Sequence, residues 1–200
     1  PVNNLNRRLP VMFWIHGGGN TSGVKDYYDF SELIREHQVL VVTINYRLGP
    51  MGWFTHPAIQ GLQNGIDKTS NFGTLDIMEA LKWVQSNIQN FGGDPDNITI
   101  FGESAGGHNV LSLLASPMGN GLFHKAISQS GYTTSFTREE ALGINQKGIV
   151  VNQLGSDPAL SHYDSSGYAS IKNLFNKDPE KYGEEYQRYL RSIDGKVLLE

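Results

Sequence analysis

The 200-residue chain contains no cysteine. That excludes a disulfide framework, a thiolate metal site and a cysteine nucleophile within it. Long apolar runs are missing too, and none approaches the ~20 residues that a bilayer-spanning helix needs. Positive charge is not in excess, since 16 Lys and Arg stand against 20 Asp and Glu. The net charge of −4 leaves no basic footprint for nucleic acid and no polybasic patch for an anionic membrane. No constellation of metal-ligating residues, internal repeat or low-complexity tract is present. What is abundant is glycine, 23 of 200 residues against a usual share of ~7%.

Much of that glycine lies in two stretches. In the first, the apolar run Ile98-Thr99-Ile100-Phe101 leads into Gly102-Glu103-Ser104-Ala105-Gly106, and an apolar helical segment, Val110–Ala115, follows. Strand, Gly-x-Ser-x-Gly and helix in that order form a nucleophile elbow, with Ser104 at the tip of a sharp turn. In the second, Pro10-Val11-Met12-Phe13-Trp14-Ile15 ends in His16-Gly17-Gly18-Gly19. Glycines after a strand let backbone N–H groups converge on one point. Acyl transfer needs such donors, because the attacked carbonyl oxygen becomes an oxyanion, and losing one donor costs about 2.7–4 kcal/mol of barrier. The N–H of Ala105, first after the serine, can join them. Gly17-Gly18-Gly19 is not a phosphate loop, because the Gly-x-x-x-x-Gly-Lys pattern is missing.

Six stretches together carry a family resemblance: His16-Gly17-Gly18-Gly19, Asn45-Tyr46-Arg47-Leu48-Gly49-Pro50, Asn71-Phe72-Gly73-Thr74-Leu75-Asp76, Phe91-Gly92-Gly93-Asp94-Pro95, Phe101 to Gly107, and Gln129-Ser130-Gly131. In this order and spacing the chain resembles the type-B carboxylesterase/cholinesterase-like family of the α/β-hydrolase fold, from about Leu9 to Gly131. The resemblance implies a mostly parallel central sheet flanked by helices, with a helical insertion after the sixth strand. It also implies a piece of a longer hydrolase, incomplete at both ends. Residues 1–132 would be the central part of the core and 133–200 a helical, cap-like excursion of the same domain.

Ser104 is the expected nucleophile. Gly18, Gly19 and Ala105 are the expected oxyanion donors, while His16, Gly17 and Glu103 have supporting roles. Glu103 either braces the turn or tunes the histidine that would sit nearby. Arg47 and Asp76 lie in matched motifs and are expected to form a structural ion pair. Asn20 departs from the aromatic residue usual after the glycine run. A serine hydroxyl needs a histidine base and an orienting acid, which in this fold follow it in the chain. His108, His124 and His162 all follow Ser104, yet none suits the role, and the resemblance implies that the triad acid and histidine lie outside this chain.

The implied activity is hydrolysis of a small-molecule carboxylic ester through an acyl-serine, without metal or cofactor. The alternatives are a non-catalytic cholinesterase-like interaction protein and an amide or carbamate hydrolase of the same fold. Absent cysteine favours a microbial or intracellular source, since animal relatives usually carry disulfides. Asn20-Thr21-Ser22 and Asn97-Ile98-Thr99 fit the glycosylation triplet and are read as ordinary sequence.

Along the chain, strands are expected at Val11–Ile15, Val39–Tyr46, Ile98–Phe101, Ala126–Ser130 and Lys196–Leu199. Phe30–His37 reads as a short helix and Leu48–Ile66 as a long loop suited to an active-site wall. Thr74–Asn90 should be a helix with Leu75, Met78, Leu81, Val84 and Ile88 as its buried stripe. Arg138–Leu154, Tyr168–Phe175 and Pro179–Leu190 read as more polar helices.

Overall fold

The computed structural model describes residues 7–61, 63–144, 147 and 165–193. They fall into two compact units, one formed by 1–48 with 73–134, the other by 49–72 with 135–200.

The first unit is built on a parallel sheet. Its strands are β1 (Leu9–Ile15), β2 (Leu40–Thr43), β3 (Gly93–Glu103) and β4 (Lys125–Gln129), in the order β2-β1-β3-β4. One face presents Val11, Phe13 and Ile15 of β1 with Ile98 and Ile100 of β3, all wholly buried. The other presents Trp14 beside Phe101, joined by Tyr28 and Phe30 in an aromatic cluster with ring centroids 4.8–5.6 Å apart in the pairs that Trp14 and Phe101 make. Strands covered on both faces need apolar residues in succession, which explains their unalternated composition.

Every strand differs from expectation at one end or both, and three of these differences have a visible cause. β2 is shorter, because its pairing with β1 stops at Trp14–Thr43 and residues 44–46 run on without a ladder. β3 begins earlier, because a register shift between Leu9 and Val11 lets Gly93 pair with Leu9. β4 stops at Gln129 because Ser130 turns to φ 52°.

The helices of this unit are α1 (Ser31–His37), then α4 (Phe72–Asn87) and α5 (Ala105–Ala115), the labels α2 and α3 belonging to the second unit. Of the expected stripe, Met78, Leu81, Val84 and Ile88 are buried and Leu75 is only half-buried, while Ile77 joins the buried face. A 3₁₀ turn, Ile88–Phe91, tightens the end of α4, and Gly92 at φ 82° closes it.

The second unit corrects the expected long loop. Residues 49–69 fold as α2 (Gly49–Trp53), α3 (Pro57–Gly61) and a 3₁₀ turn at Gly65–Thr69. Pro50 and Pro57 stand in the first turns, where a missing N–H costs nothing. α6 (Arg138–Leu142) ends far earlier than expected because Gly143, at φ 79°, caps it. α7 (Ser165–Lys177) and α8 (Pro179–Ser192) follow, Asp178 capping α8 by accepting from Lys181 N–H at 3.1 Å. His56 Nε2 lies 2.8 Å from the Tyr186 hydroxyl and 3.1 Å from that of Tyr168, all three side chains buried among Ala58, Ile171 and Leu190. The expected strand Lys196–Leu199 and His162 lie outside the described residues.

Candidate active site

Ser104 joins β3 to α5 with φ 55° and ψ −119°, a region ordinarily left to glycine. Such a conformation costs on the order of 1–3 kcal/mol and persists only where its surroundings impose it. Here they do. The Ser104 N–H donates to the Gln129 carbonyl at 2.9 Å, and the His108 N–H donates back to the Ser104 carbonyl at 2.9 Å. The flanking glycines permit the turn. A Cβ on Gly102 would lie 2.6 Å from the Gly106 backbone, and one on Gly106 would overlap the Ile15 carbonyl oxygen. One on Gly107 would lie 2.6 Å from the Gln129 carbonyl. β1, β3 and β4 therefore all close on the elbow.

The glycine loop leaves β1 directly beside the serine. A Cβ on Gly17 would stand 3.3 Å from Ser104 Cβ and 2.6 Å from the Glu103 carbonyl. Gly18 and Gly19 adopt φ 106° and 65°, which side-chain-bearing residues rarely reach. The Gly18 carbonyl is consumed by the loop itself, accepting from Ser22 N–H at 3.0 Å and Thr21 N–H at 3.1 Å. Among the described residues, the N–H groups of Gly18, Gly19 and Ala105 donate to no acceptor. Ala105 begins α5, where the first turn of a helix leaves its donors unspent.

His16 is wholly buried, and its Nδ1 lies 2.8 Å from the Gly17 carbonyl, so Nδ1–H is the donor. The ring stacks on Tyr46 at 4.4 Å. Burial and this hydrogen bond commit it to the loop. Glu103 lies on the aromatic face of the sheet, at the polar end of a recess of about 390 Å³ bordered by Trp14, Phe30, Phe101 and Ile127.

The two described histidines that follow Ser104 have separate employment. His108 Nδ1 sits 2.6 Å from the Tyr132 carbonyl and stacks on that ring, and His124 Nδ1 accepts from Ile98 N–H at 3.1 Å near the start of β4. Neither hydrogen-bonds Ser104. No group of three potential metal ligands occurs among the described residues.

Arg47 and Asp76 meet in a two-pronged pair. Nη2 reaches Oδ1 at 2.7 Å, Nε reaches Oδ2 at 2.8 Å, and the Arg47 N–H adds a third bond at 3.0 Å. Partial burial pushes the Asp76 carboxyl up, but the hydrogen bonds and charge of Arg47 outweigh it and hold the group below the usual carboxylate range. With side-chain exposures of 48% and 27%, the pair is not a buried one, and costs typical of buried pairs do not transfer.

Sequence reasoning passed over three residues here. Tyr46 lay in a matched motif without a role, Asn20 was only a departure, and Asn109 was not singled out. Asn109 had a signal of its own: an amide on the apolar side of a helix must find a partner.

The family model for the carboxylesterase family matches residues 1–184. The chain belongs to the carboxylesterase family. Para-nitrobenzyl esterase of Bacillus subtilis (strain 168) is 39% identical over 201 residues, which is 91% of this chain and 40% of that protein. Cocaine esterase of Oryctolagus cuniculus is 54% identical over 122 residues, 61% of this chain and 22% of the relative. Among solved structures, a PNB esterase superposes with a TM-score of 0.62 at 44% identity, over 72% of this chain and 32% of the other. A thermophilic PNB esterase gives 0.62 at 36% identity, over 94% and 36%. The fold is that of the α/β-hydrolase esterases. This member of the carboxylesterase family spans two-fifths or less of the length of these relatives.

Proposed function

We propose that the protein is a serine hydrolase cleaving small-molecule carboxylic esters through an acyl-serine intermediate. The supporting observation is the strained Ser104 beside three backbone N–H groups, of Gly18, Gly19 and Ala105, that the described structure leaves unspent. Ser104 Oγ attacks the ester carbonyl as a histidine takes its proton. The carbonyl oxygen becomes an oxyanion and accepts from the three N–H groups. Collapse expels the alcohol, protonated by the same histidine. Water then attacks the acyl-serine, releases the acid and restores Ser104. Among the described residues His16, His108 and His124 are engaged elsewhere. With the relatives more than twice this length, we read the base and its orienting acid as supplied from outside these 200 residues, so this stretch alone is expected to be inactive. The relatives are esterases by name, which supports ester substrates. These steps need no metal or cofactor.

The test is hydrolysis of p-nitrophenyl acetate by the complete protein and by its Ser104→Ala variant. Turnover lost in the variant is the expected result. A folded, complete protein without turnover would sink the proposal and favour the interaction-protein reading.

A further inference from the structure

We infer that Asn109, acting through Asn20 alongside a second tether from Tyr46, is a positioning residue that holds the glycine loop in register with the nucleophile; this rests on the serine-esterase reading above. The oxyanion donors come from two separate pieces of chain. Ala105 N–H belongs to α5, while Gly18 and Gly19 belong to a loop after β1 whose own bonds are short-range. A loop of three glycines has little to hold it. Three donors act together only if they converge within a few tenths of an ångström, so something must tie loop to helix.

Asn109 lies on α5, five residues past Ser104, and is 2% exposed. Its Nδ2 donates to Asn20 Oδ1 at 2.9 Å, across 89 residues of sequence. Asn20 follows the last glycine directly and holds φ 60°, a left-handed conformation that asparagine tolerates. The Tyr46 hydroxyl donates to the His16 carbonyl at 2.5 Å. Tyr46 Oη also lies 3.5 Å from Asn20 Oδ1, the atom that Asn109 holds, so the two tethers lie side by side. Burial, only partly offset by Asn109, pushes the Tyr46 hydroxyl up to about 12, so it remains a donor at any working pH.

Both ends of the Gly17–Gly19 run are thus tethered, one of them to the helix that carries Ala105. Asn20 is held by Asn109 of that helix, and His16 is held by Tyr46. His16 then fixes the first peptide of the loop, because Nδ1–H holds the Gly17 carbonyl and the Gly18 N–H of the same planar peptide must point the opposite way. None of these side chains touches the reacting atoms in this account. They act by placing N–H groups.

The experiment uses the complete protein with p-nitrophenyl acetate, comparing wild type, Asn109→Ala, Asn20→Gly, Tyr46→Phe and the Asn20→Gly/Asn109→Ala double variant. Misplaced donors weaken binding of the oxyanion more than of the ground-state ester. Each single variant should therefore lose about 10–100-fold in kcat with KM within about twofold. Affinity for a trifluoromethyl ketone, which forms the oxyanion on Ser104, should fall in parallel. The double variant should be no worse than the poorer single one, since both remove the same bond. Asn20→Gly keeps the φ of 60° and Tyr46→Phe keeps the ring, so these two decide if Asn109→Ala fails to fold. Unchanged kcat, a loss carried by KM, or additive losses would overturn the inference while wild-type turnover leaves the esterase reading standing. A wild type without Ser104-dependent turnover would overturn both.

Discussion

Ser104 carries backbone strain, and that strain is measurable apart from the proposed chemistry. Replacing it by glycine relieves a φ of 55° that alanine would retain. Ser104→Gly should therefore be about 1 kcal/mol more stable than Ser104→Ala, after the entropy of glycine offsets part of the gain. Equal urea midpoints for the two would mean that the elbow stores no strain. Gly106 shows the opposite constraint. A Cβ there meets the backbone of Ile15, which no side-chain rotation can relieve. Gly106→Ala should cost at least the ~1–3 kcal/mol of an overpacked core, seen as a lower urea midpoint.

Between elements, the Arg47–Asp76 pair ties the chain after β2 to the first turns of α4. Because the Asp76 carboxyl is held below its ordinary value in the folded chain, it contributes stability above about pH 4 and loses it as pH falls further. Asp76→Asn should lower stability by about 1 kcal/mol at neutral pH, the upper end for an exposed pair. The wild-type advantage should fade below pH 4, as followed by urea unfolding across pH. The variant should fold and keep its chemistry. A folded variant without activity would give Asp76 a role beyond this link.

At the scale of the molecule, each of the two units has its own core. The first is layered on a parallel sheet. In the second, His56 is the shared partner of two buried tyrosine hydroxyls. His56→Leu removes that partner and should cost about 1–3 kcal/mol. Hydrogen exchange should register the loss in residues 49–61 and 165–193, with β1 and β3 retaining protection. Uniform loss across both sets would mean that the units unfold as one.

Sequence alone determined the order of β1 to β4 with α1, α4 and α5, the position of Ser104 and the glycine loop, and the family. Those features are written in contiguous residues: apolar runs mark strands covered on both faces, and glycine stands where a backbone must come within 3 Å of another. Contiguity also set its limits. The stretch 49–69 read as a loop because its helices are five residues long, too short for a periodic stripe to show. β2 and β3 were misjudged because a strand ends where its ladder ends, which only pairing decides. The Asn109–Asn20 and Tyr46–His16 tethers join residues up to 89 positions apart. A hydrogen bond over that separation leaves no spacing to read, and it came into being only when the sheet brought β1, β2 and α5 to the same end of the fold.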